Sequence, residues 1–260
     1  MSAPAALRLS RITKDFDGNV AVSGVELEIR VGELLAIIGR SGCGKSTLLR
    51  IMAGLVQPTR GLVELNGKPI TGPPEDLTVV FQEYGRSLLP WKTVVSNVAF
   101  GLSASPMEKK EKLERALSSL DAVGLLKQAE LYPWQLSGGM QQRVALARAL
   151  ARKSSILLMD EPFGSLDAQS RLELQDELLR LWSSFGMTAV IVTHDIDEAI
   201  YLADRVCVMR GSPGVISAQV NIELERPRVQ VETRGRTEFS ALRRELYEAL
   251  SERNKTPLLR

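Results

Sequence analysis

The stretch Gly39-Arg40-Ser41-Gly42-Cys43-Gly44-Lys45-Ser46-Thr47 constrains this 260-residue chain more than any other. It satisfies the pattern G-x-x-x-x-G-K-[ST] and follows a nearly continuous apolar run from Glu33 to Ile38. Such a run reads as a strand covered on both faces, and residues 46–54 after the loop read as a helix. The glycines let successive backbone N–H groups curl around phosphate oxygens with no Cβ in the way. The helix that begins near Lys45 points its positive end at the same anion. Lys45 then neutralises charge on the β- and γ-phosphates, Ser46 ligates Mg²⁺, and Thr47 approaches the α-phosphate. A glycine-rich turn without a ligand would satisfy the pattern too. Its place between a buried strand and a helix favours a bound nucleotide.

A second candidate half-site lies 115 or so residues on, counted from Lys45 to Asp160 and Glu161. There the apolar residues 156–159 run straight into the two acids. A buried strand ending in Asp sets a carboxylate at the edge where open α/β sheets bind ligands. Asp160 can hold Mg²⁺ directly or through water, and Glu161 can take a proton from attacking water. An acidic loop after a core strand is common alone; beside a phosphate loop it points to hydrolysis.

The rest of the chain fits around these two motifs. Residues 7–31 alternate apolar and polar, as half-buried antiparallel strands do. Residues 61–65 lead into Asn66-Gly67, a hairpin-turn signal. Further buried strands are expected at 77–81, 156–159, 188–193 and 205–209. Strands alternating with helices predict a mainly parallel α/β core. Residues 90–152 instead carry helical patterns and read as a helical subdomain inserted into that core. Ser105-Pro106-Met107-Glu108 predicts an N-cap, a first-turn proline and a capping-box glutamate for a helix running toward Gly124. A second helix should follow Ser137 through residue 151. Leu172, Leu178, Trp182 and Phe185 mark the apolar face of another. After Gly211, the arginines at 226, 228, 234 and 236 read as a solvated face, with a further helix over 238–253. The expected division is a nucleotide-binding domain at 7–210, with the helical part at about 90–152, and a strand/helix extension at 211–260.

Bulk properties exclude several classes. Apolar residues make up 44% and charged residues 25%, and net charge is only +2, so no global field draws the chain to nucleic acid or lipid. Its two cysteines, Cys43 and Cys207, form no ligand cluster and no disulfide scaffold. The N-terminus lacks the pattern of a secretory signal. No stretch approaches the roughly 18 apolar residues needed to span a bilayer. Any membrane crossing is therefore expected of another polypeptide.

The segment Leu136-Ser137-Gly138-Gly139-Met140-Gln141-Gln142-Arg143 resembles the LSGGQ signature of ATP-binding-cassette (ABC) ATPases, with Met140 in the form common among importers. Physically, Ser137 caps a helix whose first turn, Gly138-Gly139, is another bare anion-binding N-terminus. The resemblance extends from residue 7 to about 210. It implies the P-loop ABC cassette fold: a mainly parallel core sheet, an N-terminal antiparallel β subdomain and an inserted helical subdomain. It also implies a head-to-tail dimer in which ATP lies between the phosphate loop of one copy and the signature of the other. Ser165-Leu166-Asp167 resembles the D-loop at that seam. Gln82 resembles the Q-loop glutamine that senses Mg²⁺ and water and faces a permease. His194, the only histidine in the chain, starts the capping-box pattern that Asp195 and Glu198 complete. By resemblance it is the switch histidine at the γ-phosphate. Phe16 stands where the family carries a Tyr that stacks on adenine; core packing is the alternative.

Leu88-Leu89-Pro90-Trp91, followed by Thr93-Val94 and Asn97-Val98, resembles the nitrate, sulfonate, taurine and bicarbonate importer branch. Glu225-Arg226-Pro227-Arg228 resembles it as well. An aromatic loop beside the Q-loop suits a groove that grips a short helix of another protein. Trp134 replaces a histidine frequent before the signature, with no reason evident. The implied assembly is peripheral to the cytoplasmic face of a membrane, with an integral permease as partner and an extracytoplasmic solute-binding protein as an indirect one. Competing readings are a soluble ABC ATPase acting on DNA or ribosomes, a non-catalytic nucleotide-binding regulator, and an exporter cassette. A single cassette and near-neutral charge weigh against the first, Glu161 with His194 against the second, and the Leu88–Trp91 segment against the third.

Overall fold

The period-two alternation near the N-terminus folds into strands β1 (Ala5–Phe16) and β2 (Asn19–Arg30), paired antiparallel. The computed structural model describes residues 4–81 and 87–251. Leu7, Leu9 and Ile12 of β1 and Val25, Leu27 and Ile29 of β2 are buried, while the residues between them lie nearer solvent. Strands β4 (Arg60–Leu65) and β5 (Lys68–Pro69) complete a sheet of order β2-β1-β4-β5. Their hairpin turns at Asn66 and Gly67, both at positive φ (49° and 74°), as a tight two-residue hairpin requires.

The apolar runs build the second sheet, in the order β10-β9-β3-β8-β7-β6. These strands are β3 (Leu34–Gly39), β6 (Leu77–Val80), β7 (Ile156–Asp160), β8 (Thr188–Thr193), β9 (Arg205–Arg210) and β10 (Val215–Asn221). Every neighbour pair is parallel except β9 with β10. All residues of β3, β7 and β8 are buried, which is why their sequences show no alternation. Strand periodicity survives in what each face touches. Leu34, Ala36 and Ile38 join the core shared with the helical lobe. Leu35 and Ile37 join the core shared with β1, β2 and helix α1 (Lys45–Met52).

The lobe comprises α2 (Val94–Phe100), α3 (Lys109–Ala122) and α4 (Gly138–Arg152), packed on one another. Its sequence signals need one correction. Helix α3 begins after Glu108, which takes the N-cap position without a side-chain cap. The Ser105 hydroxyl accepts only from Met107 N–H, so the expected capping box closes a loop instead of opening the helix. For α4 the signal is right: Ser137 caps it, accepting from Met140 N–H at 3.3 Å.

Helix α5 (Ala168–Phe185) buries Leu174, Leu178, Leu179 and Leu181. Phe185 is 52% exposed at its last turn and does not belong to that face. Trp182 is half-buried beneath the Arg226 guanidinium, 4.3 Å from the ring centroid. After α6 (Ile196–Leu202) and the β9–β10 hairpin, α7 (Gln230–Arg234) and α8 (Thr237–Ser251) close the chain. Phe239 and Leu246 of α8 are fully buried, and α8 packs on α6.

Of the arginines at 226, 228, 234 and 236, only Arg236 is exposed as a solvated face requires; Arg226 and Arg234 are half-buried and Arg228 is buried. Arg228 is only 7% exposed and donates to five main-chain oxygens: Ile200, Tyr201 and Ala203 at the end of α6, and Ile222 and Leu224 beyond β10. It meets the negative end of α6 and satisfies carbonyls that the helix leaves open. Burial lowers its pKa to about 10, so it stays charged at neutral pH. Arg226 pairs with Asp204 at 2.7 Å, Arg234 lies over the Tyr201 ring, and Arg236 meets Glu225 at 3.2 Å. Arg228 looks solvated in sequence because its acceptors are main-chain oxygens, most of them distant in the chain. Arg228→Leu should therefore strip buried carbonyls of their donor and lower unfolding stability by about 2–4 kcal/mol, read as a lower urea midpoint at unchanged slope.

Candidate active site

Three strand ends assemble the site. At the first, β3 stops at Gly39, and the loop curls into α1 through Gly44, which takes φ 90°. Neither glycine has room for a side chain. A Cβ on Gly39 would sit 2.4 Å from the Met209 oxygen, and one on Gly44 would sit 2.7 Å from the Ala21 oxygen. The loop is thus fitted against β9 on one side and β2 on the other. Lys45 is buried, and its Nζ donates back to the carbonyls of Gly39 (2.8 Å) and Arg40 (3.1 Å). That arrangement holds an ammonium in the mouth of the loop.

A cavity of about 460 Å³ opens over the loop, lined by Ser41, Gly42, Gly44, Lys45, Ser46, Thr47 and Glu161, with Asn19, Val20, Ala21 and Ser212. Sequence reading missed these last four. Nothing in their residue types announces them; they arrive because β2 starts beside the loop and because the 211–214 turn folds over it. Gly214 N–H donates to the Ala21 carbonyl at 3.0 Å, and its own carbonyl accepts from Ser23 N–H at 3.0 Å. Arg40 is exposed and contributes its carbonyl. Cys43 is buried, and burial pushes its thiol pKa up, so it stays a protonated packing group.

At the second strand end, Asp160 closes β7 and accepts from the Ser46 hydroxyl at 3.1 Å. Burial raises the Asp160 pKa, opposed by that hydrogen bond. Glu161 follows at φ 43°, a left-handed conformation rare outside glycine, with its N–H bonded to the Val192 carbonyl at 2.8 Å. At the third, β8 delivers His194, whose Nδ1 lies 3.2 Å from Glu161 Oε2. The three sequence-predicted groups therefore converge: an ammonium, an oxygen pair fit for a hard cation, and a carboxylate–imidazole pair.

The donor set suits Mg²⁺. Among the described residues, no cluster of three His, Cys, Asp or Glu could cage a metal. One hydroxyl and one carboxylate beside a phosphate cavity are what Mg²⁺ takes when phosphate and water fill its other positions.

Ser137, Gly138 and Gly139 do not line this cavity. A methyl built on Gly139 would fall 3.6 Å from Ser170 Cβ and 3.9 Å from Leu166 Cδ2, which places the α4 start against the loop before α5. Asp167 caps α5, accepting from Ser170 N–H at 3.0 Å, and this bonding with Ser170 lowers its pKa. Phe16 is 46% exposed, with Lys14 Nζ 4.8 Å from its ring centroid, so the core-packing alternative does not hold. Gln82 lies outside the described residues.

Behind His194, the expected capping box is only half made. Asp195 caps α6, accepting from Glu198 N–H at 3.1 Å, but the Glu198 carboxylate turns inward and accepts the Thr193 hydroxyl at 2.5 Å. Burial pushes the Glu198 pKa up to about 7 from an ordinary 4.5, against that hydrogen bond. The native state then keeps a proton that the unfolded chain has released. This contribution to stability is complete below about pH 4.5 and is lost as pH rises through about 7. Glu198→Gln should flatten the decline in stability between about pH 5 and about pH 8, by about 2–3 kcal/mol in urea unfolding. An unchanged slope would mean that the native carboxylate is not desolvated.

Known proteins resemble this chain over most of its length. The family model described as "ABC transporter" matches residues 22–164. An uncharacterized ABC transporter ATP-binding protein of Methanocaldococcus jannaschii is 48% identical, covering 95% of this chain and 91% of its own length. A nitrate import ATP-binding protein of Synechocystis sp. is 45% identical, covering 79% of this chain and 76% of its own length. A taurine import ATP-binding protein of Shigella sonnei is 44% identical, covering 85% and 86%. Among solved structures, a dimeric ATP-binding cassette in a post-hydrolysis state with ADP and Pi superposes with TM-score 0.72 at 32% identity, covering 84% of this chain and all of that one. By these likenesses and by the convergence of its three strand ends, the chain belongs to the ABC transporter family, as one of its ATP-hydrolysing cassettes.

Proposed function

We propose that this cassette powers import of a small anion or organosulfonate, of the nitrate, sulfonate or taurine class, through a separate integral membrane permease. The observation that carries the catalytic part is the meeting of Lys45, the Ser46–Asp160 pair and the Glu161–His194 pair at one sheet edge. The cargo class rests on the Leu88–Trp91 segment and on relatives named for nitrate and taurine import. Trp91 is 71% exposed next to α2, as a residue gripping another protein would be. Among the described residues no helix is long and apolar enough to cross a membrane, so the permease supplies the spans. The seat is the cytoplasmic face of that membrane, and an extracytoplasmic solute-binding protein delivers the cargo. In this division residues 7–210, with the helical part at about 90–152, form the nucleotide-binding domain, and 211–260 the extension.

The loop amides from Gly39 to Thr47 and Lys45 hold the ATP phosphates. Phe16 stacks on adenine, and Ser46, Asp160 and Gln82 would hold Mg²⁺. Bound there, Mg²⁺ would supply positive charge beside the phosphates. Ser137, Gly138 and Gly139 of a second copy close over the γ-phosphate, and Asp167 sits at the shared seam. Glu161 takes a proton from the attacking water as the bond from γ-phosphorus to the bridging oxygen breaks. His194, held by Glu161, donates toward the γ-phosphate oxygens. Loss of that phosphate removes the charge that draws the signature helices in, and the dimer reopens.

Glu161→Gln keeps the shape and removes the base. It is expected to bind a fluorescent ATP analogue like the parent and to turn over ATP roughly 10²–10⁴-fold more slowly. Wild-type turnover by the purified variant would remove Glu161 from this role. Titrating nitrate, sulfonates and taurine against the binding protein that co-purifies with the permease decides the cargo.

A further inference from the structure

We propose that Arg171 is a positioning residue that transmits the state of the subunit seam to His194. The inference rests on the function proposed above and names a residue which that mechanism does not use. Arg171 stands one turn into α5. Its Nη2 donates to the Leu166 carbonyl at 3.1 Å, gripping the 163–167 loop, and its Nη1 lies 4.0 Å from Asp195 Oδ2, beside the histidine. Its Nε is buried with no partner. The guanidinium is partly exposed, so solvent reaches its outer edge while Nη1 and Nη2 face Asp195 and the Leu166 carbonyl.

Each end leads to a different half-site. On the Leu166 side, the loop and the start of α5 lie against Gly139 at the start of α4, and Arg143 of α4 reaches Glu173 of α5 at 3.8 Å. The signature turn that grips a neighbouring copy's phosphate therefore rests on the loop that Arg171 holds. On the Asp195 side, Asp195 caps α6 through Glu198 N–H and gives its own N–H to Thr193 Oγ1 at 3.1 Å. Thr193 and Asp195 flank His194, so fixing both fixes the imidazole against Glu161. The separation of 4.0 Å is within reach of an ion pair and beyond a hydrogen bond. A small advance of the loop on closure makes the contact, and retreat breaks it. The grip on one nucleotide thereby sets the geometry for hydrolysing the other.

The test measures ATP turnover by the full chain bearing Arg171→Leu, Arg171→Lys, Asp195→Asn, and Arg171→Leu with Asp195→Asn. Asparagine keeps the helix cap and loses the charge. Arg171→Leu should lower kcat roughly tenfold with KM for ATP nearly unchanged, Arg171→Lys should restore part of the loss, and Arg171→Leu should cost little more in the Asp195→Asn background. An unchanged kcat, a loss confined to KM, or a full further loss on top of Asp195→Asn overturns the proposal. Should Arg171→Leu fail to fold, Asp195→Asn alone carries the decision: a wild-type kcat there overturns it as well. Absence of turnover in the wild-type chain would overturn the parent reading itself, whereas normal wild-type turnover without these responses removes Arg171 only.

Discussion

The contact on which the site depends is between backbones, at places where side chains are missing. Gly39 and Gly44 bracket the phosphate loop, and the space a methyl would fill is taken by the Met209 and Ala21 oxygens. Gly214 repeats the device against the Cys43 oxygen, where a Cβ would overlap outright. Three glycines thus let β9, the start of β2 and the 211–214 turn press directly on the loop. Pressure of this kind, in an interior packed as densely as an organic crystal, leaves the loop one conformation. The loop so held lines the cavity with Ser41, Gly42, Gly44, Lys45, Ser46 and Thr47.

The electrostatics follow from depth. Lys45, Asp160 and Glu198 are all buried, yet each has a hydrogen-bonding partner: main-chain carbonyls, the Ser46 hydroxyl and the Thr193 hydroxyl respectively. Glu161 differs in being held by its backbone. Left-handed φ at a non-glycine residue costs on the order of 1–3 kcal/mol. Here that conformation is fixed between β7 and a turn in which Gly164 N–H donates to the Glu161 carbonyl at 3.2 Å. The cost is borne by the sheet, and the return is a carboxylate aimed at His194 instead of at its own strand.

The parts of this arrangement that were legible in the sequence are those governed by local chemistry. The phosphate loop, the acidic end of β7, the Ser137 cap and the Asn66-Gly67 turn each depend on residues adjacent in the chain, and each stands where its pattern placed it. Buried strands were legible too, since two covered faces leave no polar alternation. The failures share a different cause. Ser105-Pro106-Met107-Glu108 fits a helix start equally well as a loop, and only packing of α3 chooses. Phe185 continues an apolar stripe beyond the point where α5 leaves the core. Asn19 and Ser212 reach the cavity through sheet topology, which no residue type encodes. Arg228 was misread because its partners are carbonyls 4 to 28 residues away.

That arginine has a bearing on the machine as a whole. Helix α6 starts at the residues that steady His194 and ends at the carbonyls that Arg228 collects, while α8 lies along it. The tail of the chain therefore anchors the far end of a seven-residue rod whose near end flanks His194, so the C-terminal residues and the histidine turn are parts of one packed unit.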